Sequence, residues 1–254
     1  MKRNLALIVS LAAALATPAL VADEPCPCAE KKEPPSPPAF TGNVGFGVSI
    51  NSGNTSSTNL SFTLGLKYDP KTRNLVKLDG YYLYGRADGE TNTQKANFTL
   101  RDEYSFSELF FAFGEVGYLY DRFKGITYLI TPTVGAGYKV VKTKAVTLDF
   151  SAGVGLVAEQ DEGLPQSTSG SFSVGEGFEW KISSWATLTQ HASGLWKMSN
   201  TSDYFFHVDA GLVSPISRVF EMKIAYVLDY KNEPYPPTLD KTDSSFIAAL
   251  GAKF

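Results

Sequence analysis

The sequence predicts an all-β chain: a closed, antiparallel, up-and-down transmembrane β-barrel of about twelve strands. Three observations point there. A two-residue apolar period recurs from residue 40 to the end with no helical period between. The links alternate between tight joints and longer segments, and aromatic residues collect on one parity at both ends of the strands.

The N-terminus stands apart from this pattern. Lys2 and Arg3 precede an apolar run from Leu5 to Leu15, and small residues come after it near Ala22, the three-part arrangement of an export signal. The apolar run is too short for a membrane-spanning helix, and Pro18 breaks any helical continuation. Residues 1–22 are therefore expected to be removed. Residues 23–39, "DEPCPCAEKKEPPSPPA", are rich in Pro and charge and bury almost nothing, which predicts an extended periplasmic arm. Cys26 and Cys28 are the only cysteines, and no further Cys or nearby His completes a metal site. Neither a metal nor another cofactor is predicted.

The barrel is expected over 40–254. Val44, Phe46, Val48 and Ile50 alternate with Asn43, Gly45, Gly47 and Ser49, and after the "NSGNTSS" turn Leu60 to Tyr68 alternates with Asn59 to Lys67. Val76–Tyr84 continues the pattern, succeeded by weaker members at 94–104 and 109–121. Tyr128–Tyr138 and Val146–Leu156 are clear, 171–182 and 185–198 are weaker, and Tyr204–Leu212 and Phe220–Tyr230 are clear again. The last, "SSFIAALGAKF", ends on Phe254. Each is close to the roughly 9–11 residues that a tilted strand needs to cross a bilayer. The tight joints fall at 69–73, 105–108, 141–145, 183–184 and 214–217, and the longer links at 51–57, 86–93, 121–126, 160–169, 199–203 and 231–241. With the tight joints in the periplasm, Tyr68, Tyr104, Phe110, Tyr138, Trp180, Phe220 and Phe254 form one girdle. Tyr84, Tyr120, Tyr128, Phe172, Trp196, Tyr204 and Tyr230 form the extracellular one.

The opposite parity is small or polar and should line a narrow, hydrated lumen. It receives Lys77, Asp79, Lys95, Arg101, Glu103, Glu115, Lys139, Asp149, Glu159, Glu179, Lys181, His207, Asp209, Glu221, Lys223 and Asp229. Mixed signs in a lumen that side chains can largely fill predict an ion-pair network. Asp102, Glu176 and Gln190 fall on the lipid parity, where a bulge or a place near a rim would account for them. The acidic residues Asp121, Glu159, Asp161, Glu162, Asp240 and Asp243 are expected to be hydrated loop charges.

"GNTSSTNLSF", "DRFKGITY" leading into "PTVGAGYKV", and "YKNEPYPPTLDKTDSSF" resemble the family catalogued as domain of unknown function 481 over Thr41 to Phe254. Its members are often labelled salt-induced outer membrane proteins. Where many of them carry an Arg after the Asp-Arg-Phe element, this chain has Leu129. The resemblance implies a barrel in the outer membrane of a Gram-negative bacterium, with Phe254 as part of the signal for the barrel assembly machinery. It implies no reaction.

The net charge of −3 excludes a basic nucleic-acid footprint. The sequence thus predicts a monomeric barrel in contact with outer-membrane lipid, either a narrow passive channel for small polar solutes or ions, or a structural envelope protein. The alternative is a lipid hydrolase. In "QHASGLW", His191 and Ser193 share a strand face and resemble the His-x-Ser element of outer-membrane phospholipase A, but parity turns them to the lumen and no Asn-Gly completes the motif.

Overall fold

Backbone polar groups have no water to bond in hydrocarbon, so a strand crosses a bilayer only when every edge is paired, and a sheet achieves this by closing on itself. The computed structural model, which describes residues 39–52, 57–87 and 90–254, shows such a closure. The signal segment and nearly all of the predicted arm, with Cys26 and Cys28, lie outside the described residues.

Twelve antiparallel strands form a single closed ring in chain order. They are β1 (Phe40–Ser52), β2 (Ser57–Tyr68), β3 (Asn74–Ala87), β4 (Glu90–Ser105), β5 (Phe110–Asp121) and β6 (Ile126–Lys142). The circuit continues with β7 (Val146–Asp161), β8 (Ser167–Ser183), β9 (Ala186–Lys197), β10 (Tyr204–Pro215), β11 (Phe220–Lys231) and β12 (Thr242–Lys253). The seam joins β1 to β12, with Val44 opposite Ala252 and Val48 opposite Ala248. Beyond it, Gly42 and Phe254 exchange backbone hydrogen bonds of 2.8 and 2.9 Å. No described helix is long and apolar enough to cross a membrane.

The predicted parity holds around the ring. On β1, Phe46 is 69% exposed and the neighbouring lumen residue Ser49 is fully buried. Leu60, Val134, Val154, Phe220 and Leu250 likewise point outward, and Asn59, Ser61, Thr63 and Ser171 point in. An apolar outer face of this extent is what a lipid-embedded barrel presents. Aromatic rings meet across strands at both rims. Phe110 packs on Tyr138 at 4.7 Å and Phe40 on Phe254 at 6.0 Å at the short-turn rim. At the long-loop rim, Phe172 stacks on Trp196 at 5.2 Å and Tyr204 on Tyr230 at 5.9 Å.

Register shifts occur at Gly85/Arg86, Leu119/Asp121, Ile126/Tyr128, Lys139/Val141 and Lys181/Ser183, and none of them resets Asp102, Glu176 or Gln190. Asp102 points outward beside Tyr104, close to the short-turn rim. Glu176 and Gln190 also stay on the outer face, where Gln190 Nε2 donates to Glu176 Oε2 at 3.1 Å.

The lumen is less uniformly polar than its parity predicts. Tyr81, Leu83, Ala225, Val227 and Ile247 meet across it from β3, β11 and β12. Ile126, Leu129 and Val157 form a second apolar cluster, supported by Leu119, Leu195 and Phe205. Phe111 and Phe113 fill the space that glycines leave on β6 and β7, and a Cβ on Gly137 would lie 2.2 Å from the Phe111 ring. Twelve strands enclose a channel narrow enough for large side chains to reach across, so apolar residues of lumen parity find one another.

Candidate functional site

The lumen changes character along its length. Toward the long loops, four lysines are almost fully enclosed: Lys95, Lys124, Lys197 and Lys231. An enclosed ammonium persists only with carboxylates against it, and each has at least one. Lys95 Nζ lies 2.5 Å from Asp229 and 3.5 Å from Asp121. Lys197 is held by Glu159 and Asp203, and Lys231 by Asp161 at 2.9 Å and Glu159 at 4.0 Å. Lys124 reaches Asp243 at 3.0 Å from a single turn of 3-10 helix, Arg122–Lys124. Asp121 caps that turn, its Oδ1 accepting from the backbone N–H groups of Phe123 and Lys124. The loop is thereby folded so that its lysine enters the barrel mouth.

This layer corrects the expectation of hydrated loop acids. Asp121, Glu159 and Asp161 are buried, because β5 and β7 extend to residues 121 and 161 and keep these side chains on the lumen parity. The six carboxylates of the layer outnumber its lysines. Glu159 Oε2, Asp161 Oδ1 and Asp203 Oδ1 are buried with no hydrogen-bond donor from the protein, so the layer retains acceptors for water.

The middle of the lumen is bridged by histidine. His207 Nδ1 is bonded to Asp229 at 2.7 Å, and its Nε2 lies 3.7 Å from Asp209, which in turn lies 3.7 Å from His191 Nδ1. Ser193 faces the lumen opposite His207, and no hydrogen bond joins it to His191 or His207 among the described residues. The His191/Ser193 pair therefore has neither the nucleophile-to-base contact that acyl transfer requires nor a place on the lipid face.

Below this level the lumen opens. The His191 and Asp209 side chains are 44% and 39% exposed although they point inward. Arg101 donates to Glu103 and Glu115, both at 2.9 Å, and Lys77 donates to Glu103 at 3.0 Å. The Arg101 guanidinium also lies 3.9 Å over the Phe113 ring. Asp79, Lys139, Asp149 and Lys223 form no ion pair within 4.0 Å among the described residues, and Asp79 is exposed inside the barrel. Unpaired charges of this kind require water around them. Glu179 and Lys181 pair at 3.4 Å near the short-turn rim, and Glu221 is buried on the lumen side of β11. The predicted charges share the inner parity of their strands, with Glu179 and Lys181 exposed at the rim. Lys197 has the lumen parity of β9, whereas parity could not foresee that Lys124, Asp121, Asp161, Asp203 and Lys231 complete the network, because several of them sit in or beside segments that read as loops. Among the described residues, no group of three or more His, Cys, Asp or Glu is arranged to hold a metal ion.

The chain has counterparts among known proteins. The uncharacterized protein YdiY of Escherichia coli (strain K12) is 23% identical over 217 residues, covering 84% of this chain and 82% of that protein. The NanC porin is 10% identical and superposes with a TM-score of 0.56 over 85% of this chain and all of that one. The translocator domain of the autotransporter NalP from Neisseria meningitidis, 10% identical, gives a TM-score of 0.50 over 87% of this chain and 90% of that domain. At such identities these two solved structures establish the fold, a barrel of the outer-membrane kind. With residues 44–254 matching the family model described as "Protein of unknown function, DUF481", the chain belongs to that family.

Proposed function

We propose that the protein is a narrow passive channel in the outer membrane of a Gram-negative bacterium, with its short turns and N-terminal arm in the periplasm. The observation that carries this reading is the contrast along the lumen. Unpaired charges and half-exposed His191 and Asp209 mark a hydrated inner section, and paired charges together with the two apolar clusters narrow the rest. A structural barrel would have no use for unpaired charge inside, and a constriction of ion pairs selects small polar or charged solutes. The excess of carboxylates in the outer layer favours cations. Phe254, paired with Gly42 at the seam, serves the barrel assembly machinery. The inward placement of His191 and Ser193 leaves lipid hydrolysis without support.

Planar-bilayer recording of the refolded protein tests this. Small, discrete, cation-preferring steps are expected. The double variant Lys231→Ser/Asp161→Ser removes both partners of one pair, so it leaves no orphaned charge and widens the layer. Its single-step conductance should rise about twofold or more, since current scales with the area of the narrowest section. Silence from both proteins, each shown to be folded by its heat-modifiable migration, would make the barrel a structural envelope protein.

A further inference from the structure

The outer surface of the barrel breaks its apolar rule at one place far from either rim. Glu176 lies four residues from Phe172 and four from Trp180 on the same face of β8, and these two aromatics mark the opposite girdles. At about 3.3 Å per residue along a tilted strand, the carboxyl is close to the middle of the hydrocarbon. Gln190 on β9 stands beside it and donates one N–H to Oε2. Neither side chain has another hydrogen-bond partner among the described residues, so one carboxylate oxygen, one amide N–H and the amide oxygen face lipid. Acyl chains cannot bond them.

We infer that β8 and β9 form a docking face for a second copy of this chain, with Glu176 of each barrel accepting from Gln190 of the other. The inference rests on the reading of the barrel as a membrane protein. The chemistry favours a like partner because the pair is self-complementary. A two-fold axis along the membrane normal sets the left side of one patch against the right side of the other, so each carboxylate meets an amide at the same depth. Two equivalent hydrogen bonds form and the lipid-facing orphans are reduced on both copies. Ala192 and Ala210 beside the pair are small, and Phe150 and Phe178 on its other side offer apolar surface to a second sheet. A dimer held by the Glu176–Gln190 pair departs from the monomer that the sequence predicts.

The test measures association of the refolded protein by sedimentation equilibrium in density-matched nonionic micelles and by energy transfer between donor- and acceptor-labelled copies in lipid vesicles. Heat-modifiable migration records insertion independently. Wild type should associate as a dimer, and Gln190→Leu or Glu176→Leu/Gln190→Leu should weaken the dissociation constant at least tenfold while inserting as well as wild type. Leu60→Val, on β2 across the barrel, should leave it unchanged. A wild type that inserts but stays monomeric at every protein-to-lipid ratio, or a double variant that associates as tightly as wild type, overturns the dimer alone. A protein that fails to insert overturns the membrane reading with it.

Discussion

The buried lysines show how single residues govern this lumen. An ammonium removed from water costs several kcal/mol, and the cost is offset only by carboxylates placed within about 3 Å and by polarity around them. Lys95, Lys197 and Lys231 each meet two acids, and losing one of them strands Asp121, Asp203 or Asp161 respectively, while Asp229 keeps His207 and Glu159 keeps the other lysine. A different economy holds at the solvent-exposed turn after β2. There Lys71 adopts positive φ, and its Nζ and backbone N–H both donate to Asp69, at 2.8 and 3.0 Å. The bond from the lysine side chain is the largest influence that holds the Asp69 carboxyl below its ordinary value of 3.8. A lowered carboxylate pKa means that the turn's stabilisation is complete above 3.8 and fades as pH falls through the depressed value. The pair is exposed, so its effect on overall stability is small. Carboxyl titration by NMR should place the Asp69 midpoint below 3.8, and Lys71→Ala should return it toward that value. An unchanged midpoint would remove the lysine from the explanation.

Among the elements, β5, β6 and β7 show how strands fit together inside a narrow ring. Phe111 is buried on β5, and its ring lies over Gly137 of β6. Gly135 and Gly153 make the corresponding room for Phe113. Periodicity identifies the lumen face of each strand from its small residues, yet it does not say which large side chain leans over them. Gly137→Ala should destabilise the barrel by about 1–3 kcal/mol, the usual cost of overfilling a packed site. Denaturant unfolding from vesicles provides the measurement. In a Phe111→Ala background the same glycine change should cost little, and an undiminished cost there would show that the ring is not the obstacle. The strand alternation itself is legible: Leu60 outward and Asn59 inward are dictated by adjacent positions in one strand. The acids at 121 and 161 pass for loop charges, and Glu159 reads both ways, because a strand that outruns its apolar pattern looks like a loop in the sequence.

For the whole molecule the decisive event is closure. The seam between β1 and β12 joins residues about 200 positions apart, and without it two rows of backbone groups would face hydrocarbon. Ala248, opposite Val48 at mid-seam, tests this. Ala248→Pro removes one N–H from the ladder and adds a ring where the chains are paired, a change costing roughly 3 kcal/mol or more in regular structure. Refolding into vesicles should then yield far less heat-resistant compact species than wild type. Equal yields would mean that the ring tolerates an open seam.

Taken by itself, the chain order of residues determined the number of strands, the face each turns to lipid, the aromatic girdles and the mixed charge of the interior. All of these come from a period of two and from turn lengths, which are local. Only the tertiary structure decided how that interior is arranged: the four enclosed lysines and their acids, the apolar contacts of Leu83 with Val227 and Ile247, and the Glu176–Gln190 bond on the outer face. These depend on which strands stand opposite or beside one another and at what height, and that is set by the closure and stagger of the ring, a property of all twelve strands at once.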